Sequence, residues 1–163
     1  MAEVFLPDNE KNIKRTFLFE KSVFIKCRID DLFNFHLDTY NLPRISPSFP
    51  KASIKKISEV PLKQGSSITV ALNFILFKID WEIFIKKVES NKFIGDLQVK
   101  GMFEYWYHSH IFELKGDGVI MTDKIEFIPP FGFIGKIFLP FIKIQLATMF
   151  NQRHKKTKSI FEK

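Results

Sequence analysis

The residues of this chain best suited to chemistry lie close together: His108, His110 and Asp123. They flank Gly116-Asp117, a pair that suits a two-residue turn with positive φ between antiparallel strands. Setting Lys115 opposite Gly118 places Leu114 across from Val119, Phe112 from Met121, His110 from Asp123, His108 from Ile125 and Trp106 from Phe127. Strand side chains alternate, so all of these share one face. The other face pairs Tyr107 with Glu126, Ser109 with Lys124 and Ile111 with Thr122, a solvent-type surface. The face bearing Trp106, Phe112, Leu114, Met121, Ile125 and Phe127 is therefore the inner one. His108, His110 and Asp123 point into it, with His110 and Asp123 as cross-strand neighbours within hydrogen-bonding reach.

Polar groups on an apolar inner face are costly unless they satisfy one another or a ligand. Four arrangements meet that demand, in the order the pattern favours them. The first is a core network in which Asp123 sets the tautomer and orientation of His110. The second uses the same groups as polar anchors in a ligand cavity. The third is acid–base catalysis by His110 with Asp123, for which no spacing supplies a nucleophile. The last is a metal chelate of His108 and His110 with Asp123, which needs a third ligand to be assumed. Asp96 and Gln98 share a face of the strand before Gly101, with a register the sequence leaves open. Trp81, with Ile83 and Ile85, reads as core or cavity wall. The pattern calls for neither a cofactor nor a metal.

The elements that position these residues can be read in order. Thr16 to Cys27 is rich in aromatic and β-branched residues and predicts a first strand after a polar stretch to about Arg15. Asp30 or Asp31 can cap a short helix carrying Leu32, Phe33 and Phe35, and a second short turn precedes Pro43. From Ala52 to Pro129, breaks at Pro61 to Gly65, near Phe77 to Asp80, at Ser90-Asn91, at Gly101 and at Gly116 to Gly118 divide the chain into six strands. Beyond Gly132, apolar residues including Ile134, Ile137, Phe138, Phe141, Ile142, Leu146 and Phe150 follow helical spacing, with a kink or fresh start at Pro140. This order is α+β: a curved seven-stranded antiparallel sheet wrapped around a long C-terminal helix, with two short helices between strands 1 and 2.

Composition narrows the function classes. A chain of 163 residues suits one domain, taken as 1-163. The single Cys27 gives no internal disulfide, and the N-terminal residues lack a basic segment followed by an apolar run, so a cytoplasmic protein without a signal peptide is expected. The apolar stretch from Phe127 to Phe150 is interrupted by Pro129, Pro130, Lys136, Pro140 and Lys143 and reads poorly as a membrane span. The net charge of +7 is scattered apart from Arg153-His154-Lys155-Lys156 and Lys158, which read as a solvated helix end, and no basic helix or aromatic platform for nucleic acid is evident. That cluster and the apolar loop Pro129 to Phe133 also suit a transient membrane-surface contact. The 20 Phe residues, against 2 Trp and 3 Tyr, suit a thick core or an apolar pocket wall.

The chain also resembles the SRPBCC/START-type helix-grip superfamily, in its bacterial polyketide cyclase/dehydrase-like, ligand-binding branch. The resemblance rests on Asn41-Leu42-Pro43-Arg44-Ile45-Ser46-Pro47, on Trp106-x-His108-x-His110-x-Phe112, on Asp123-x-x-Glu126 and on Pro130-Phe131-Gly132-x-Ile134-Gly135. It implies a helix-grip fold enclosing a cavity for a hydrophobic small molecule such as a lipid, isoprenoid or polyketide, held as by a carrier or sensor. The alternative is a cyclase- or dehydratase-like enzyme with His110 and Asp123 as its catalytic candidates. The expected ligand-binding set is Trp81, Trp106, His108, His110, Phe112, Met121, Asp123, Ile125, Phe138 and Phe141, in a monomer or homodimer.

Overall fold

A computed structural model describes residues 16–162; the polar stretch to Arg15 lies outside them. Strand β1 (Phe17–Ile25) is followed by helix α1 (Ile29–Leu37), a 3-10 turn at Thr39–Asn41 and the short α2 (Leu42–Ile45). Six strands then run in sequence: β2 (Lys51–Ile57), β3 (Ser67–Asn73), β4 (Lys78–Glu89), β5 (Phe93–Lys100), β6 (Tyr105–Lys115) and β7 (Gly118–Ile128). Two helices close the chain, α3 (Phe133–Ile137) and α4 (Leu139–Phe161). The strands form one antiparallel seven-stranded sheet in the order β1-β7-β6-β5-β4-β3-β2, with β1 returning to pair with β7. This is the expected helix-grip architecture.

Local chemistry accounts for most boundaries. Asp30 and Asp31 occupy the first turn of α1, where negative charge favours a helix N-terminus, while Arg28 is the N-cap and supplies no side-chain cap. At the β6–β7 hairpin Gly116 takes φ 57° and Asp117 keeps a negative φ, the pattern of a type II′ turn. The register is the one the turn dictates, from Lys115 opposite Gly118 to Trp106 opposite Phe127. One inward assignment fails: Leu114 is 72% exposed, because the hairpin tip extends past the elements that cover the sheet. Pro140 sits in the first turn of α4, where its missing N–H costs nothing, so the helix begins afresh there. Gly135 lets α3 fold back on the preceding loop, since a Cβ there would lie 2.0 Å from the Pro130 carbonyl oxygen.

Helix α4 grips the sheet with its C-terminal half. Its buried residues Leu146, Phe150, His154 and Thr157 recur at helical spacing and form one stripe. Leu139 and Ile142 continue that stripe toward the N-terminus and are only partly buried. Two apolar clusters fill the interior. One joins α1 to the sheet through Leu32, Phe33, Ile85, Ile94, Phe112, Val119 and Met121. The other joins α4 to it through Trp106, Ile125, Phe127, Leu146 and Phe150.

Phe150 is fully buried, with its ring centroid 5.7 Å from that of Phe19 and 5.3 Å from that of His108. Phe150→Ala should cost about 3–5 kcal/mol in denaturant unfolding. Phe141→Ala, at a side chain 59% exposed, should change stability by no more than about 0.5 kcal/mol. Equal losses for the two would mean that the N-terminal half of α4 also holds the fold.

Candidate functional site

Between the two apolar clusters lies a buried polar layer centred on Asp123, which is 2% exposed. Its Oδ1 accepts a hydrogen bond from His108 Nε2 at 2.7 Å, and His110 Nδ1 lies 2.8 Å from the same oxygen with its N–H off the hydrogen-bond line. Its Oδ2 accepts from His154 Nε2 at 2.5 Å. Strand alternation places His108 and His110 side by side on β6, with ring centroids 4.0 Å apart, opposite β7 residues of the same face. The inward stripe of α4 brings His154 down from above. On the far side of the pair, Asp96 of β5 stands directly opposite His108. His36 of α1 lies with its ring centroid 5.4 Å from that of His110 and its Nδ1 2.8 Å from the Leu32 carbonyl oxygen.

The electrostatics follow from burial and from Asp123. Burial pushes the Asp123 carboxyl up, but the His110 charge and the contacts from His108, His110 and His154 hold it well below the usual carboxylate range. Burial also pushes His110 down, yet the neighbouring Asp123 and Asp96 outweigh it and raise His110 to about 9. His108 is lowered by burial first and by the charge on His110 second. His36 is lowered to about 3, mainly by burial and then by His110. The layer therefore carries one ion pair, His110 with Asp123, beside neutral His108 and His36.

The structure brings together His108, His110 and Asp123 of the expected set and divides the others. Phe112 and Met121 belong to the α1 cluster, while Trp106 and Ile125 belong to the α4 cluster. Trp81 packs edge-on to Trp106, with ring centroids 5.2 Å apart. Phe138 and Phe141 are 57% and 59% exposed, because they fall beside the inward stripe of α4 and not on it. The reading of Arg153 to Lys158 as a solvated helix end holds for Lys155 and fails for His154, which is 4% exposed. His154 stands four residues after Phe150 and eight after Leu146, so helical periodicity would have found it. His36 and Asp96 completed the layer without being assigned a place in it; Asp96 needed the β5–β6 register. Among the described residues, Asp96, His108 and His110 converge closely enough to hold an ion.

Two surface hollows, of about 690 and 440 Å³, lie on the outer face of the sheet and have mixed linings that include Lys55, Asn73, Asp80 and Lys100 in one and Lys86, Tyr107 and Glu126 in the other. No helix among the described residues is long and apolar enough to cross a membrane.

Because His36 is held neutral down to about pH 3 when folded but has an ordinary pKa of 6.5, unfolding takes up a proton between those values. Stability should therefore fall as pH drops from 6.5 toward 3, with His36 contributing up to about 1.4 kcal/mol per pH unit. His36→Gln should lower that slope by one proton's share in urea unfolding at pH 4, 5 and 6. An unchanged slope would mean that His36 does not titrate this way.

No protein-family model matches the chain, and no curated protein matches it by sequence. Solved structures do match in fold. The di-domain ARO/CYC protein StfQ of the steffimycin biosynthetic pathway superposes with a TM-score of 0.71 at 10% identity, over 90% of this chain and 51% of that one. This chain thus spans about half of the di-domain protein. Norcoclaurine synthase from Thalictrum flavum matches with a TM-score of 0.65 at 16% identity, over 86% of each chain. Ara h 8.0201 matches with a TM-score of 0.61 at 13% identity, over 89% of this chain and 99% of that one. Sheet order, helix placement and these superpositions agree that the chain has the helix-grip fold.

Proposed function

We propose that the protein binds a hydrophobic small molecule between the N-terminal half of α4 and the Trp81–Phe103–Trp106 end of the sheet, taking it up at an anionic lipid surface. The observation that carries this reading is the indole N–H of Trp81, which is buried without a hydrogen-bond partner. An unpartnered buried donor costs about 1–3 kcal/mol, and an indole nitrogen can only donate. A ligand oxygen among the aromatic rings would satisfy it. The surroundings are apolar: Phe17, Phe19, Phe103, Leu139, Ile142 and Met149 are all only partly buried there. A weakly packed helix end over aromatic rings is a place where an apolar guest can enter. The fold is shared with proteins named for biosynthetic chemistry, the ARO/CYC protein and norcoclaurine synthase, which also favours a small-molecule role.

The surface beside this end supports uptake from a membrane. Phe131, Phe133, Ile134, Ile137, Phe138, Phe141 and Ile144 are each more than half exposed. Phe131 takes φ 63°, an uncommon conformation for a bulky side chain, and is 81% exposed. The β3–β4 turn lies at the same end of the sheet and exposes Ile75, Leu76 and Phe77. From Phe127 to Phe161 the chain has no Asp or Glu, while it has Lys136, Lys143, Arg153, Lys155, Lys156 and Lys158. Exposed aromatic and aliphatic side chains within an acid-free basic segment match an anionic bilayer surface in both chemistries.

Trp81 and Trp106 are the only tryptophans, so intrinsic fluorescence reports on this end directly. Oleate and farnesol should each change the emission saturably, and Trp81→Phe should weaken binding about tenfold by removing the N–H. Vesicles containing phosphatidylserine should sediment the protein at low salt, phosphatidylcholine vesicles should not, and the double variant Phe131→Ser with Phe133→Ser should stay in the supernatant. Native mass spectra without any bound apolar molecule, together with emission unchanged by both probes, would overturn the ligand reading.

A further inference from the structure

Asp96 is the one carboxylate of the polar layer for which the network around Asp123 provides no close partner. Its Oδ2 lies 3.5 Å from His108 Nδ1 and 3.5 Å from His110 Nε2. Good hydrogen bonds of this type run about 2.7–3.2 Å. Two ligands bound at about 2.0–2.1 Å to a tetrahedral ion stand roughly 3.4 Å apart. One donor atom from each of Asp96, His108 and His110 lies within 4.8 Å of the others, and all three residues are buried.

The far sides of both rings are already committed. His108 gives its Nε2–H to Asp123 Oδ1 at 2.7 Å, and His110 turns Nδ1 to the same oxygen at 2.8 Å. A carboxylate oxygen only accepts, so neutral His108, whose Nε2–H goes to Asp123, presents its Nδ1 lone pair to Asp96, while an ion bound at His110 Nε2 takes the place of the proton there. The Asp96 oxygen and the His108 lone pair are then acceptors facing one another, an arrangement that a cation between them resolves. Metal-bound imidazoles are typically backed by a carboxylate in this way. That carboxylate is itself held, because His154 occupies its other oxygen.

We propose that Asp96 Oδ2, His108 Nδ1 and His110 Nε2 form a site for one divalent transition-metal ion of the zinc and iron(II) class, with Asp123 orienting both imidazoles. Two imidazoles and one carboxylate suit these borderline ions better than calcium or magnesium, which take all-oxygen shells. The charge also balances: two carboxylates, Asp96 and Asp123, match a dication with both imidazoles neutral, so the buried site carries no net charge. Three protein ligands leave a fourth position for water or the oxygen of a bound molecule. This site differs from the chelate ranked last among the sequence readings, keeping His108 and His110 but taking Asp96 in place of Asp123. The site is independent of the apolar-ligand reading.

The test uses the untagged chain, stripped with a chelator, dialysed and titrated with Zn²⁺, with Co²⁺ as the spectroscopic probe. One Zn²⁺ per chain is expected, and Co²⁺ should give the visible absorption of a four-coordinate ion. Asp96→Asn and His110→Ala should each lower Zn²⁺ affinity at least 100-fold. Asp123→Asn, which alters only the orienting carboxylate, should lower it about 10–100-fold. Cys27→Ser should leave it unchanged. Circular dichroism checks that each variant is folded, and one measurement needs no variant: the ¹⁵N resonances of His108 Nδ1 and His110 Nε2 should shift when Zn²⁺ is added to the wild type. Substoichiometric binding, resonances unmoved by Zn²⁺, or wild-type affinity in folded Asp96→Asn would each overturn the proposal.

Discussion

A single buried carboxylate organises the interior. Asp123 has lost nearly all contact with water, and a charge in that position persists only if its environment replaces hydration with directed polar contacts. Those contacts come from two residues on the neighbouring strand and one on the C-terminal helix. Asp123 thereby ties α4 to the sheet at His154, holds His108 in one tautomer and keeps a positive charge on His110. The neutrality of His36, one ring further on, follows from burial and from that charge. Proton positions on three elements thus depend on one side chain.

The polar layer divides the molecule into two ends with different tasks. Toward α1 the helix packs on the sheet through buried core side chains such as Leu32, Phe33, Phe112 and Val119. Toward the N-terminus of α4 the helix rests on the sheet through partly buried side chains, and large apolar groups face outward. Stability comes from burial, so the second end contributes little of it and is free to serve recognition. The same division explains why Phe150 and Phe141, both Phe on one helix, have opposite surroundings.

The likeness to an ARO/CYC protein, a synthase and Ara h 8.0201 at 10–16% identity establishes a scaffold. Helix-grip proteins of such different names share it, and the chemistry of any one of them resides in the side chains it places inside. In this chain those side chains are three buried histidines and two buried carboxylates, with the partly buried His36 beside them, at the junction of its two cores.

Much of this was legible in the sequence. The Gly116-Asp117 turn set the register of β6 against β7, and alternation then put His108, His110 and Asp123 on the inner face. Composition marked the first strand, the breaks from Pro61 to Gly118 marked off the six that follow, and Pro140 marked the fresh start of α4. Local periodicity reports which face of an element a residue occupies, and that is enough for contacts across one tight turn. It does not report what approaches that face from elsewhere. The arrival of His154 from α4 and His36 from α1, the docking of Asp96 across the β5–β6 pair and the outward position of Phe138 and Phe141 depend on helix orientation and on a strand register that no tight two-residue turn fixes. Those distances are set by packing of the whole chain, so the tertiary structure alone turned an inward polar pair into a complete buried network.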